Sequence, residues 1–279
     1  MSFNSIRKTL GLALGSCLLF SSAVVFGANS DATETQLKAA IDGDARSAEN
    51  KSRDAYRHPF ETLMFFGIKP DMTVVEISPG GGWYTEILGP FLNEKGQYIA
   101  AGYDRDSDNE RVQAAIKRFE EKLDSNPGYS NAKVTELSPP EKVEIAPAGS
   151  ADMVLTFRNT HGFMRGDTAE AHFAAFFKAL KPGGILGLVQ HRGTGEQPQD
   201  PKAPKGYVNE DYVIELAEKA GFKLVAKSEV NANPKDTKDY EDGVWTLPPV
   251  LRKGDVDKDK YTEIGESDRM TLKFMKPKS

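Results

Sequence analysis

The sequence predicts an α/β fold, a mainly parallel seven-stranded sheet with helices on both faces. Three observations point there. From Thr73 onward, short β-branched runs alternate with helix-length amphipathic stretches. One such run ends in a cluster of glycines that leads straight into a helix, the punctuation of a strand–turn–helix unit. Finally, Cys17 is the only cysteine in the 279 residues and sits in an N-terminal apolar leader, so the rest of the chain must rely on a packed core.

The strand-like blocks are Thr73–Ile77, Tyr98–Tyr103, Val134–Leu137, Asp152–Phe157, Ile185–Gln190, Lys223–Val230 and Met270–Met275. Between them, helical spacing predicts Tyr84–Leu92, Asn109–Leu123, Ala169–Leu180 and Tyr212–Ala220, the last stopped by Gly221. Ahead of the first strand, Pro59 suits the first turn of a helix over Phe60–Phe66, and Gly67 suits its end. Residues 29–57 are polar and charged, with Leu37, Ala40 and Ile41 at helical spacing, which predicts one or two amphipathic helices. The stretch 231–268 breaks the alternation. It is rich in Lys, Asp, Pro and Gly yet carries Trp245 and Tyr261, and an insertion this long before the last strand predicts a functional cover.

The first residues are expected to be a Sec-type signal. Arg7 and Lys8 form a positive start, and Leu10–Phe26 is uncharged, with small residues suited to cleavage after Ala23 or Gly27. The organisation expected is therefore 1–27 as signal peptide, 28–58 as helical lead-in and 59–279 as the domain. The product would be periplasmic or secreted, with no stable membrane span after cleavage, or tethered to the membrane face if the leader stays uncleaved. Without the leader the net charge moves from −5 to −7, because Arg7 and Lys8 leave with it. An acidic chain without a basic run argues against nucleic acid as a partner.

The sharpest motif is Val74-Val75-Glu76-Ile77-Ser78-Pro79-Gly80-Gly81-Gly82-Trp83-Tyr84-Thr85. Glycines here let the backbone approach a ligand and aim free amides at it from a helix N-terminus. An acid closes the second strand: Asp104 lies about 20 residues beyond Gly82, where a carboxylate can take both hydroxyls of a ribose. A nicotinamide-binding turn wants a further glycine at Thr85, which makes the dehydrogenase reading the weaker one.

On Glu76, Ser78, Gly80, Gly82 and Asp104 the chain resembles class I S-adenosylmethionine-dependent methyltransferases, whose pattern is an acid, Gly-x-Gly-x-Gly and a second acid. Ser78 departs from it, and serine disfavours the positive φ that a glycine would take. The run Pro79–Leu88 is similar to a group of exported bacterial proteins described as predicted methyltransferases. Two later blocks follow in family order: Ser150–Leu155 entering the fourth strand, and Leu180-Lys181-Pro182-Gly183-Gly184 turning into the fifth. The resemblance implies a Rossmann-like methyltransferase fold with S-adenosylmethionine as cofactor. Glu76, Ser78, Gly80, Gly82, Tyr84 and Asp104 would bind it, Glu76 through water or the turn amides.

Ligands of open α/β sheets gather beyond the carboxyl ends of the strands. That places Arg158, Asn159 and His161 after the fourth strand and His191 after the fifth on the ligand rim, with His58 close by and Trp245 in the insertion above. Transfer to an OH or NH acceptor needs a base, and histidine is the natural one. His161 is the first choice and His191 the second; His58, Arg158, Asn159 and Trp245 are expected to bind the acceptor. His172, in mid-helix, is expected to be structural. A three-histidine metal centre from His58, His161 and His191 is the competing arrangement, disfavoured by the absence of His-x-x-x-His spacing. No Gly-x-Ser-x-Gly elbow supports a hydrolase, and Phe157–Phe163 lacks the Pro-Pro-Tyr/Phe motif of nucleobase methylating relatives. The acceptor expected is a small molecule or an exposed group on a partner. Because S-adenosylmethionine is made in the cytoplasm, an exported binding or scaffold protein on the same fold is the alternative of a different class.

Overall fold

The computed structural model describes residue 1, residues 23–44 and residues 46–278, those of 23–30 by backbone alone. Most of the expected signal peptide, Cys17 included, lies outside the described residues. Seven strands form one sheet: β1 (Thr73–Ile77), β2 (Gln97–Gly102), β3 (Lys133–Glu136), β4 (Ala151–Phe157), β5 (Leu180–His191), β6 (Lys223–Ser228) and β7 (Arg269–Met275). Their order is β3-β2-β1-β4-β5-β7-β6. The first five run parallel, whereas β7 inserts antiparallel to both β5 and β6.

Both faces of the sheet are covered, and the period of two along each strand assigns the side chains. Val75, Ile77, Val154, Leu186 and Leu188 face a layer made by α8 (Ala169–Ala179) and α9 (Glu210–Lys219), where Phe173, Phe176 and Ala217 are buried. Val74, Met153 and Leu155 face the opposite layer, built by α1 (Ala23–Asp42), α4 (Pro59–Phe66) and α5 (Thr85–Leu92), with Leu37, Leu63, Phe66 and Leu88 fully buried. Pro59 opens α4 and Gly67, at φ +84°, closes it by donating its amide to the Leu63 and Met64 carbonyls, as the sequence predicts. Two single-turn helices, α2 (Ala48–Lys51) and α3 (Asp54–Arg57), connect α1 to α4, and α6 (Glu110–Asp124) covers the β2–β3 crossover. Among the described residues no helix is long and apolar enough to cross a membrane.

Three elements differ from the expectation. Residues after β4 form a short helix, α7 (Thr160–Arg165), so His161 sits in a first helical turn and not in a loop. The Lys181–Gly184 block does not turn ahead of β5 but lies within it: Gly183 donates to the Lys276 carbonyl and Lys276 to that of Gly184. A φ of +81° at Gly183 absorbs the bend there, opposite a register shift at Ala151/Met153 of β4. The insertion, finally, is built around its own apolar knot of Tyr240, Leu247 and Tyr261 and carries α10 (Lys258–Ile264).

Candidate functional site

The parallel strands deliver their carboxyl ends to one rim, and β7, running the other way, delivers its amino end to the same rim. Between them lies a cavity of about 450 Å³, inside the range of small-molecule sites.

Its floor is the bend after β1. Ser78 does adopt the left-handed backbone, φ +47°, and is held there by donating its amide to the Ala101 carbonyl on β2. The glycine-like path thus survives the substitution. Ser78, Pro79, Gly80 and Gly81 line the cavity. A Cβ built on Gly80 or Gly81 would meet no atom within 4 Å, so these two leave an open cradle. Gly82 plays another part. Its φ is +81° and its Cβ would press on the Lys122 side chain, which reaches past it to Glu86 at 2.6 Å; Gly82 faces the helix layer and not the cavity.

Glu76 corrects the expectation more sharply. It is buried under the bend and hydrogen-bonded not to turn amides but to side-chain hydroxyls: Tyr98 donates at 2.6 Å and Thr85 at 3.0 Å. Burial pushes its carboxyl up to about 7, against the pull of both hydrogen bonds. Tyr84 is likewise beneath the site. Its ring stacks on Phe157 at 3.5 Å and meets Trp83 edge-on, leaving Trp83 and Phe157 to face the cavity. Asp104 stands at the rim next to Tyr103, which does line the cavity. Its Oδ1 accepts from Lys142 at 2.5 Å and from the Asp106 amide at 2.9 Å, and Lys142 first of all holds the carboxyl below its ordinary value.

His161 and His191 are brought together, ring centroids 5.6 Å apart, and both line the cavity. Trp245 meets His161 edge-on at 5.8 Å, with Arg165 and Arg252 over its indole. The hydrogen bonds fix the state of His161. The Gln190 amide nitrogen gives one hydrogen to the Gly206 carbonyl at 3.0 Å and the other to His161 Nδ1 at 3.2 Å, so the ring hydrogen sits on Nε2. Burial, reinforced by Arg165 and Arg158, lowers His161 to about 4. His191 Nδ1 is 2.5 Å from Ser267 Oγ, and burial and then Arg269 drive its basicity well down. Asn159 lines the cavity, but its amide is spent on the Ile77 carbonyl (2.8 Å) and Thr156 Oγ1 (3.2 Å), which fastens the ends of β1 and β4. His58, at a φ of +41° between α3 and α4, lines no part of the cavity, so the three-histidine arrangement does not assemble. Among the described residues no group of His, Cys, Asp or Glu is placed to hold a metal ion. His172 stacks on Phe163 at 3.8 Å and hydrogen-bonds the Thr168 carbonyl, a structural residue.

The sequence reading missed one wall altogether. Arg53, Arg57 and Arg269 all meet the buried carboxylate of Glu266: Arg53 Nε at 2.7 Å, Arg57 Nε at 3.2 Å and Arg269 through Nη2. Although burial alone would raise it, Arg269, Arg57 and Arg53 together hold Glu266 at about 2. Arg158 is the fourth guanidinium of the wall and, among the described residues, takes part in no hydrogen bond or ion pair of its side chain. Desolvation first, then repulsion by Arg158, lowers Arg57 to about 8; burial and Arg269 lower Arg158 to about 10.

No family model and no curated protein matches the chain. Solved structures do. It resembles a SAM dependent methyltransferase from Aquifex aeolicus with a TM-score of 0.53 at 18% identity, over 87% of this chain and 98% of that one. It resembles a putative sarcosine dimethylglycine methyltransferase from Galdieria sulphuraria with a TM-score of 0.54 at 13% identity, over 85% and 90%. The [4+2]-cyclase SpnF gives 0.57 at 13% identity, over 90% and 96%. At these identities the likeness establishes architecture: the chain has the Rossmann-like methyltransferase fold. The particular chemistry has to come from the cavity.

Proposed function

We propose that this protein is an S-adenosylmethionine-dependent methyltransferase acting on a small molecule or an exposed group of a partner, outside the cytoplasm. The observation that carries the reading is the cradle over Gly80 and Gly81, open on the ligand side while its strand, helix and Ser78 backbone are fixed from behind. An apolar wall of Trp83 and Phe157 supports a place for a nucleoside carrying an amino-acid tail, and Asp104, next to the lining Tyr103 and paired with Lys142, is the carboxylate assigned to its ribose. When bound there, the cofactor supplies an electrophilic methyl group.

The chain's own residues then divide the work. Gly80 and Gly81 admit the tail, and Asp104 takes the ribose beside its contact with Lys142. The acceptor sits under Trp245, with His161 Nε2–H as a hydrogen-bond donor and not a base, because its other nitrogen is engaged by Gln190. His191, uncharged at neutral pH and a weak base because burial and Arg269 lower it, accepts a hydrogen bond from the acceptor's OH or NH when its own Nδ1 hydrogen is given to Ser267. Positioning of acceptor against methyl, with water excluded by the aromatic walls, supplies most of the acceleration.

Isothermal titration of the purified protein with S-adenosylmethionine and with its demethylated product tests this. Saturable binding of both, lost in Gly80→Val and weakened by about tenfold or more in Asp104→Ala, is expected. Absence of binding by the unaltered protein would overturn the reading.

A further inference from the structure

We infer that the acceptor side of the cavity binds an anionic oxygen group, a carboxylate or a phosphate, through the wall of Arg53, Arg57, Arg158 and Arg269.

Charge balance makes the argument. Three guanidiniums, those of Arg53, Arg57 and Arg269, share one buried carboxylate, Glu266, and Arg158 joins the same cavity wall without pairing with it. A guanidinium offers five N–H donors in a fixed fork suited to paired anionic oxygens. Arg53 Nη2 and Arg269 Nε are buried without a partner, and the half-buried Arg158, on the cavity lining, makes no side-chain hydrogen bond or ion pair among the described residues. Buried charge without a counter-charge is strongly unfavourable. The groups line a cavity wide enough to admit the missing anion.

The proposed methyl donor cannot be that anion on its own. It carries a sulfonium and an ammonium against one carboxylate, so its arrival adds positive charge to a site already in excess. The second ligand must supply the negative charge, and Arg158, reaching in from the end of β4 beside His161, is the fork left for it. This inference rests on the methyltransferase reading only for the identity of the second ligand; anion binding itself is measured without any cofactor.

The test uses inorganic phosphate and succinate as probes, each against sodium chloride of matched ionic strength. Thermal unfolding and isothermal titration are followed for the unaltered protein, Arg158→Gln and Arg158→Lys. Saturable stabilisation by at least one probe is expected, weakened by about tenfold to a hundredfold in Arg158→Gln, as for loss of a charged hydrogen bond; Arg158→Lys should recover part of it. Because Arg158 repels its neighbours and holds no partner, Arg158→Gln should melt no lower than the parent without ligand. Whichever probe binds identifies a phosphate or a carboxylate as the group. No saturable effect of either probe, or an effect equal in Arg158→Gln, overturns the proposal. A titration with S-adenosylmethionine separates the two readings. If phosphate competes with it, or Arg158→Gln weakens it by the same factor, the wall holds the donor's own carboxylate and the acceptor assignment fails. If phosphate binds while S-adenosylmethionine does not, the anion site stands and the methyltransferase reading falls.

Discussion

Glu76 offers a perturbation whose size follows from the geometry. Its carboxyl is 3% exposed beneath the glycine bend and titrates at about 7 instead of 4.5. An unfolded chain releases that proton near 4.5, whereas the folded protein keeps it until about 7. Between those values the unfolded state holds fewer protons, so stability falls as pH rises, and outside the window Glu76 contributes no slope. At 1.36 kcal/mol per pKa unit the full cost is about 3 kcal/mol. In melting temperature that is roughly 6–12 °C for a domain of this size. Glu76→Gln removes the titration while keeping a carbonyl oxygen to accept from Tyr98 and Thr85. Urea unfolding of both proteins at steps from pH 4 to pH 8 isolates the effect, because other titrating groups cancel in the difference. The variant should gain about 3 kcal/mol on the parent across that span. Parallel stability curves would refute the argument, since a carboxylate with an ordinary pKa predicts no divergence.

Further outcomes follow from other parts of the site. Lys142→Met should free the Asp104 carboxylate and tighten S-adenosylmethionine binding in titration, whereas Asp104→Ala should weaken it by about tenfold or more, a lost charged hydrogen bond; equal affinities in all three proteins would remove Asp104 from the site. Nitrogen NMR of His161 should find the Nε2–H tautomer, with titration near pH 4 and not near 6.5. Its lowered basicity also predicts stability that falls as pH drops from 6.5 towards 4, where the unfolded chain takes up the proton first. Gly243→Ala should destabilise the insertion by about 1–3 kcal/mol, seen as faster limited proteolysis, because its φ is +57° and an added Cβ would strike the Lys205 backbone.

Periodicity made the strands legible, and each lies within a few residues of its expected bounds, because a buried parallel strand needs an apolar run and a turn after it. The glycine bend was legible for the same local reason. The short helices were not: α7 has only six residues with Gly162 inside, and α10 is mostly Lys, Asp and Glu, so neither carries an apolar stripe. Ser78 misled in the other direction, since intrinsic preference disfavours its φ while the hydrogen bond to Ala101 fixes it. The arginine wall was illegible for a topological reason. Arg53 and Arg269 are more than two hundred positions apart in the chain, and only the reversal of β7 brings Glu266, Ser267 and Arg269 to the rim where β1, β4 and β5 end. The pairing of His191 with Ser267 depends on that same reversal.

The same reversal explains why the long insertion is a wall and not a flap. A flap needs ends free to hinge, yet both ends here are tied into the core. Asn231, 4% exposed, donates to Thr62 of α4 and to Thr271 of β7, both at 2.9 Å. Asn233 donates to the Ile264 and Glu266 carbonyls, and Asp236 accepts the Asp268 amide at 2.8 Å. These bonds lie next to Glu266 and Arg269, so opening the insertion would pull the counter-charge away from the guanidiniums it balances. The wall therefore has an electrostatic reason to stay shut: swinging it out separates buried opposite charges, far less favourable than exposing apolar surface alone. On this reading ligands meet a Trp245 face that is already fixed, and the exposed lining residues Tyr103 and Val250 mark the side open to solvent. Hydrogen exchange should then find the amides of Arg269 and Asp268 protected as strongly as those of the central strands. Exchange on the timescale of a surface loop would mean the segment does hinge.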